Sequence, residues 1–167
     1  TKFFTDSTFL QNFNFLQTKL KTNTDVNTIL TACIKLATIK TGVLLVIERK
    51  NNLDFVKNTG DEMNIKVTQP ILESIFFKNS PLHDGAIIVS NNFIKATRVV
   101  LPINNEKIIP NKYGLRHRAA VSITEKTDAL VIVVSEQTGQ ISYINNGEFK
   151  TYKDKEDLIS LIKKDLY

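Results

Sequence analysis

The sequence predicts a single α/β domain in which helices cover a mixed β-sheet. Val43–Ile47 and Ala129–Val134 are unbroken apolar runs of strand length, as expected of strands buried on both faces. Segments with apolar residues at helical spacing lie before, between and after them. Asn91-Asn92 and Asn145-Asn146-Gly147 each separate two strand-like runs, and Asn and Gly tolerate the positive φ that tight hairpins need. A chain of 167 residues, 42% apolar and 23% charged, has the size and composition of one globular domain with a real core, 1–167.

In chain order, Asp6 is placed to cap a first helix whose stripe is Phe9, Phe13, Leu16 and Leu20, so 1–22 is expected to pack on the domain as an N-terminal helix. Asn23 or Thr24 opens a second helix, with Val26, Ile29, Leu30, Cys33, Leu36 and Ala37 inward and Gly42 placed to stop it. The strand Val43–Ile47 follows, then a turn at Asn51-Asn52. Gly60–Lys66 is polar and reads as a loop. Thr68 caps a third helix with Pro70 in its first turn and Ile71, Leu72, Ile75 and Phe76 facing inward. Ala86–Ser90 and Phe93–Leu101 form a hairpin, and Asn104–Tyr113 a polar loop. Gly114 opens a fourth helix to about Thr124. Gln140–Ile144 and Glu148–Tyr152 pair across the second hairpin turn. Asp154 caps a last helix that buries Leu158, Leu161, Ile162 and Leu166; Glu156 and Asp157 at its start and Lys163 and Lys164 at its end suit the helix dipole.

Several classes of function are disfavoured. The net charge of +5 comes from scattered lysines, a solvated basic surface. Basic residues interleaved with exposed aromatics, the mark of a single-strand nucleic-acid binder, are missing. Cys33, the one cysteine, lies in an apolar helical pattern and reads as a small hydrophobe; it permits no intrachain disulfide, which fits a reducing cytoplasm. No apolar run approaches the roughly 18 residues of a spanning helix, and no secretory signal is visible. The sequence holds no CxxC pair, no arguable serine-histidine-acid triad and no glycine-rich phosphate loop, and two histidines are too few for a His-rich zinc site.

Chemistry concentrates in two stretches, NSPLHDGA at Asn79–Ala86 and GLRHRAA at Gly114–Ala120. The first sets a histidine and a carboxylate before a glycine at the mouth of a buried strand, where a divalent cation and a close backbone approach are both possible. The second sets two guanidiniums and an imidazole within three residues, and guanidiniums grip phosphate in bidentate fashion. Together they make the two halves of a nucleotide-phosphate site. A lone Asp-Gly is more often an Asx turn; the accompanying arginine stretch reverses that preference. On a regular helix Arg116 and Arg118 would point about 200° apart. Either the segment enters the helix with non-helical geometry, or the two serve different partners. Gly114 and the phosphate affinity of helix N-termini favour the entrance.

Asp84-Gly85-Ala86 and Arg116-His117-Arg118, in this order and frame, resemble the DGA and RHR motifs of the diadenylate cyclase domain family. PLHDGAIIV at Pro81–Val89, VLPI at Val100–Ile103 and GLRHRAAVSITEKTDALVIVVSEQTG at Gly114–Gly139 extend the resemblance from roughly Thr24 to the end of the last strand. It implies the same α/β fold and the joining of two ATP into cyclic di-AMP and two pyrophosphates, with Mg²⁺ or Mn²⁺. It assigns Asp84 the catalytic, metal-linked role, with His83 and Glu136 as further metal ligands. The family commonly has two acids where this chain has Glu136-Gln137, so Glu136 is the only carboxylate there. His83 and Glu136 read almost equally well as a surface histidine and a solvated loop acid. Gly85, Arg116, His117, Arg118 and Ser135 fall to ATP and its phosphates; Val100, where the family often has an aromatic, falls to the adenine with Leu101 and Leu115. One site holds one ATP, so a symmetric product implies a face-to-face homodimer, weak or monomeric without ligand. No specific nucleic acid is implied. The membrane-tethered relatives imply a cytoplasmic domain, attached only through a segment outside this chain, which begins with Thr. From another class, a silent nucleotide sensor is the alternative, and the intact Asp84 speaks against it.

Overall fold

The computed structural model describes residues 23–167; the expected first helix lies outside the described residues. Its elements are α1 (Val26–Thr38), β1 (Val43–Ile47), α2 (Asp54–Lys57), β2 (Asp61–Lys66), α3 (Gln69–Phe76), β3 (Ala86–Ser90), β4 (Phe93–Val99), α4 (Leu115–Lys126), β5 (Leu130–Val134), β6 (Ile141–Asn145), β7 (Glu148–Lys150) and α5 (Lys155–Leu166). The seven strands form one sheet in the order β2-β4-β3-β1-β5-β6-β7. β1 and β3 are parallel and the remaining neighbours antiparallel, so the sheet is mixed as expected.

Side chains of a strand alternate between faces, and β1 shows why its run is apolar throughout. Val43, Leu45 and Ile47 enter a core shared with Ile29, Leu30 and Cys33 of α1, Leu72 and Phe76 of α3 and Leu158 and Ile162 of α5. Leu44 and Val46 enter a second core on the other face with Ala119, Ala120 and Ile123 of α4 and Val56 of α2. The result is a sheet covered by helices on both faces. The two alanines of α4 are both buried, and their small size lets that helix approach the sheet closely at the position that matters below.

Local chemistry sets the boundaries. Asp25, rather than Asn23 or Thr24, caps α1, accepting a hydrogen bond from the Thr28 amide at 3.0 Å. Gly42 does not stop the helix. Lys40 turns left-handed at φ 51°, its amide donates to the Ala37 carbonyl at 3.0 Å and the Thr41 amide to the Leu36 carbonyl at 2.9 Å, a complete C-terminal closure two residues earlier. Thr68 caps α3 and Asp154 caps α5 as their sequences direct. The hairpin turns are made by Asn91 and Asn92 at φ 52° and 67°, and by Asn146 and Gly147 at φ 54° and 74°.

The expectation of a loop over Gly60–Lys66 is overturned. Residues 61–66 are an edge strand in which half-buried Asp61, Met63 and Ile65 alternate with exposed Glu62, Asn64 and Lys66. Only two of its six residues are apolar, because an edge strand with one wet face needs no more; pairing with β4 supplies the rest. The first hairpin's second strand ends at Val99, two residues before the expected Leu101.

Candidate active site

Strand register brings the two sequence stretches together. Val43 pairs with Val134 and Ala86 with Val99, and β1 runs parallel to β3, so the starts of β1 and β3 and the ends of β4 and β5 share one end of the sheet. A cleft of about 1070 Å³ opens there, at the upper end of the size range of small-molecule sites. Its walls include His83, Asp84, Gly85, Val100, Leu101, Leu115, Arg116, His117, Ser135 and Glu136. Arg118, alone of the residues singled out in the sequence, does not line it.

The approach to β3 is a tight turn fixed by Ser80. Its hydroxyl oxygen accepts from the Leu82 amide at 3.1 Å and its carbonyl from the His83 amide at 3.3 Å. The Nδ1 of His83 lies 2.7 Å from the same carbonyl. A carbonyl only accepts, so Nδ1 is the donor here, and in the neutral ring Nε2 is the nitrogen left with a lone pair for a metal. Asp84 is exposed beside it. Gly85 has φ +76°, and a Cβ there would stand 2.8 Å from the Val99 carbonyl oxygen, so only glycine lets β3 meet β4 at this point.

The non-helical entrance expected at Gly114 is not what forms. Gly114 is the N-cap, and α4 is a regular α-helix from Leu115 onward. On this regular helix the two arginines part company. Arg116 reaches the cleft, where its Nη1 stands 3.4 Å from Glu136 Oε2, while Arg118 stays outside. The first amide donating to a backbone carbonyl in this helix is that of Arg118, to Gly114 at 3.2 Å, and Gly114 brings no capping side chain. The first-turn amides of Leu115, Arg116 and His117 thus remain for a ligand, at the positive end of the helix dipole.

His117 is buried at 5% exposure. Its ring lies 4.9 Å from that of Tyr113, which in turn stacks on Phe149 at 4.4 Å. Burial, and after it the neighbouring Arg116 charge, holds the imidazole below its usual pKa of 6.5. A neutral ring in an aromatic stack fixes the start of α4 by packing. Tyr113 and Phe149 were not singled out in the sequence, since one lies in a polar loop and the other in a hairpin strand far along the chain.

The other wall is more apolar. Val100 and Leu115 are 65% and 74% exposed, and Leu101 is buried between them and the core. Thr59, Gly60, Asp61 and Arg98 also line the cleft and were missed, because Asp61 opens the edge strand read as a loop, Thr59 and Gly60 lie in the turn just before it, and Arg98 lies on its partner β4. Arg98 is held left-handed at φ 53° beside the bulge of β4, and its guanidinium forks onto the Asp61 carboxylate, Nη2 to Oδ1 at 3.0 Å. The Val100 amide donates to Thr59 Oγ1 at 2.9 Å, tying the base of this wall to the start of β2.

Among the described residues no group of three or more His, Cys, Asp or Glu side chains stands close enough to cage a cation. Cys33 is a buried core residue whose thiol is pushed up to about 12 by burial, which matches its expected inertness. Among the described residues no helix is long and apolar enough to cross a membrane.

A sheet-end cleft that joins a free helix N-terminus, a guanidinium and an apolar wall is the arrangement of a nucleotide-binding α/β domain. Comparison with known proteins specifies the family. Residues 30–149 match the model described as DisA bacterial checkpoint controller nucleotide-binding, and the chain belongs to that family. It is 41% identical over 134 residues to diadenylate cyclase CdaS of Bacillus thuringiensis, covering 80% of this chain and 67% of that protein. It is 43% identical over 122 residues to cyclic di-AMP synthase CdaA of Bacillus subtilis, covering 73% of this chain but 45% of that protein, so it spans about half the length of this relative. Its fold superposes with a TM-score of 0.80 on the crystal structure of a double mutant of DacA from Staphylococcus aureus, at 32% identity over 90% of this chain and 97% of that one. A protein from Bacillus cereus described as a hypothetical membrane spanning protein matches with a TM-score of 0.72 and 42% identity, over 77% of this chain and 63% of that one.

Proposed function

We propose that this chain is a diadenylate cyclase domain, which condenses two ATP into cyclic di-AMP and two pyrophosphates. The single observation that carries the reading is the meeting of His83-Asp84-Gly85 with Arg116 and the start of α4 in one cleft. The names of its relatives, diadenylate cyclase and cyclic di-AMP synthase, support it.

Each residue then has a task. Arg116 and the free first-turn amides of α4 bind the phosphates, and their fixed positive charge is strongest where negative charge grows on the reacting phosphate. The flexible glycine at 85 lets backbone approach the same group. Ser135, at the end of β5, offers a hydroxyl to phosphate or ribose, although it already accepts from the Gln137 and Thr138 amides at 3.2 Å each. Val100, Leu101 and Leu115 provide the apolar surface for adenine. His117 contributes by fixing the helix start, and Arg118, outside this cleft, is left for a triphosphate in an opposing protomer.

The donor set fits a divalent cation shared with the substrate, since Mg²⁺ is usually held by one or two carboxylates plus phosphate oxygens. Asp84 and the Nε2 of His83 would hold Mg²⁺ or Mn²⁺. Glu136 would join them, being 60% exposed and free to leave Arg116 once a triphosphate takes its place. Bound there, the cation supplies neutralising charge for the phosphates and lowers the pKa of a coordinated hydroxyl. One cleft holds one ATP, so the 3′-hydroxyl that attacks each α-phosphorus comes from the ATP of a facing protomer. Two P–O bonds form, two pyrophosphates leave, and two hydroxyl protons are released. Val100, Ile103 and Leu115, exposed around the cleft mouth, suit such a face-to-face contact.

Asp84→Asn separates binding from chemistry. It should abolish product while a non-hydrolysable ATP analogue binds nearly as before, because the carboxylate acts mainly where charge develops. Product formation at the parent rate would remove Asp84 from the mechanism. Tight analogue binding by the parent with no turnover of ATP under any divalent metal would instead mark a nucleotide sensor.

A further inference from the structure

Gly42 has no part in ending α1, and its φ is not in the left-handed region, so neither of the common reasons for a glycine applies. It is buried at the entrance to β1. What excludes a side chain is Arg116. A Cβ on Gly42 would stand 2.5 Å from Cζ, 2.7 Å from Nη1 and 2.9 Å from Nη2 of that residue. All three nearest atoms belong to one guanidinium, which therefore lies directly against the Gly42 backbone. Glu136 Oε2, 3.4 Å from Nη1, holds it from the end of β5, the strand paired with β1.

We propose that Gly42 is a positioning residue for Arg116: its missing side chain is the berth that sets the guanidinium at the cleft before a phosphate arrives. An arginine loses rotamer freedom when it grips a ligand, and one already seated loses less. The effect of Gly42 on nucleotide affinity passes wholly through Arg116. This rests on the reading of Arg116 as a phosphate ligand.

Gly42→Ala is a mild test of folding, because its backbone accepts alanine and the atoms it displaces are the far end of a flexible side chain. A non-hydrolysable ATP analogue with Mg²⁺ is titrated into the parent, Gly42→Ala, Arg116→Ala and the double variant, and all four are melted without ligand. Gly42→Ala should lose about ten- to a hundredfold in affinity, as for a displaced charge-assisted hydrogen bond. Added to Arg116→Ala, it should cost no further affinity and leave the melting temperature where Arg116→Ala puts it. Parent-like affinity of Gly42→Ala would overturn the proposal, as would an equal loss in both backgrounds. If Gly42→Ala alone fails to fold, recovery of folding in the double variant supports the berth, and its failure there refutes it. A parent that does not bind the analogue would fail the phosphate-site reading instead, while the melting temperatures still decide whether the berth exists.

Discussion

Gly85→Ala is a direct test of how the Asp84 turn is built. An L-residue held at φ +76° costs about 1–2 kcal/mol in the left-handed region. The added Cβ would also lie 2.8 Å from the Val99 oxygen, 3.0 Å from the Arg98 carbonyl carbon and 3.2 Å from the Arg98 Cα. All three are backbone atoms of β4 and cannot swing aside, so relief requires β3 and β4 to part at the Ala86–Val99 pair. Overpacking of that kind costs about 1–3 kcal/mol. The sum is about 2–5 kcal/mol, and for a domain of this size each kcal/mol lowers the melting point by about 2–4 °C. A fall of about 4–20 °C in a calorimetric scan is expected, with loss of turnover as Asp84 moves. Gly114→Ala is the control, since nothing lies within 4 Å of its Cβ and only an N-cap preference of about 1 kcal/mol is lost. If Gly85→Ala melts no lower than Gly114→Ala, the strain and clash assigned to this turn do not exist.

Two further outcomes follow from the site. Because the folded state holds His117 below 6.5, the unfolded chain binds the extra proton first, and stability present above about pH 6.5 is lost as pH falls toward the folded value. Melting scans between pH 8 and 5 should show that loss, and His117→Phe, which keeps a ring in the stack, should flatten it; an unchanged slope would contradict the assignment. Below the dimerisation constant, the initial rate should rise with roughly the square of enzyme concentration, as mass action requires of an active dimer. A hundredfold dilution series with light scattering on the same samples tests this, and constant specific activity in samples shown to be monomeric would rule out the facing-protomer arrangement.

Much of the architecture is legible in the residues because its signals are local. The continuous apolar runs of β1 and β5 report burial on both faces, and Asn91-Asn92 and Asn146-Gly147 carry the φ values that their hairpins use. Thr68, Asp154 and Pro70 mark helix starts by the hydrogen bonds they make or forgo. The edge strand β2 escaped notice because its polar face is solvated and its partner β4 lies about thirty residues on, so nothing local announces the pairing. The same holds for the site. The HDGA and RHR stretches are visible as chemistry, yet the regular helix that carries Arg118 away from the cleft, with Ala119 and Ala120 packed in the core beneath it, shows only in the fold. Gly42 illustrates the limit best: next to a helix end it reads as a stop signal, and only the fold shows the guanidinium that lies against it.

The central claim is tested most directly by the products. The purified domain is incubated with ATP and Mn²⁺, and with GTP in parallel, and the nucleotides are identified by mass spectrometry while pyrophosphate is counted. The account predicts cyclic di-AMP from ATP, two pyrophosphates for each ring, and no corresponding product from GTP. Linear products only, or none across several divalent metals, would contradict it.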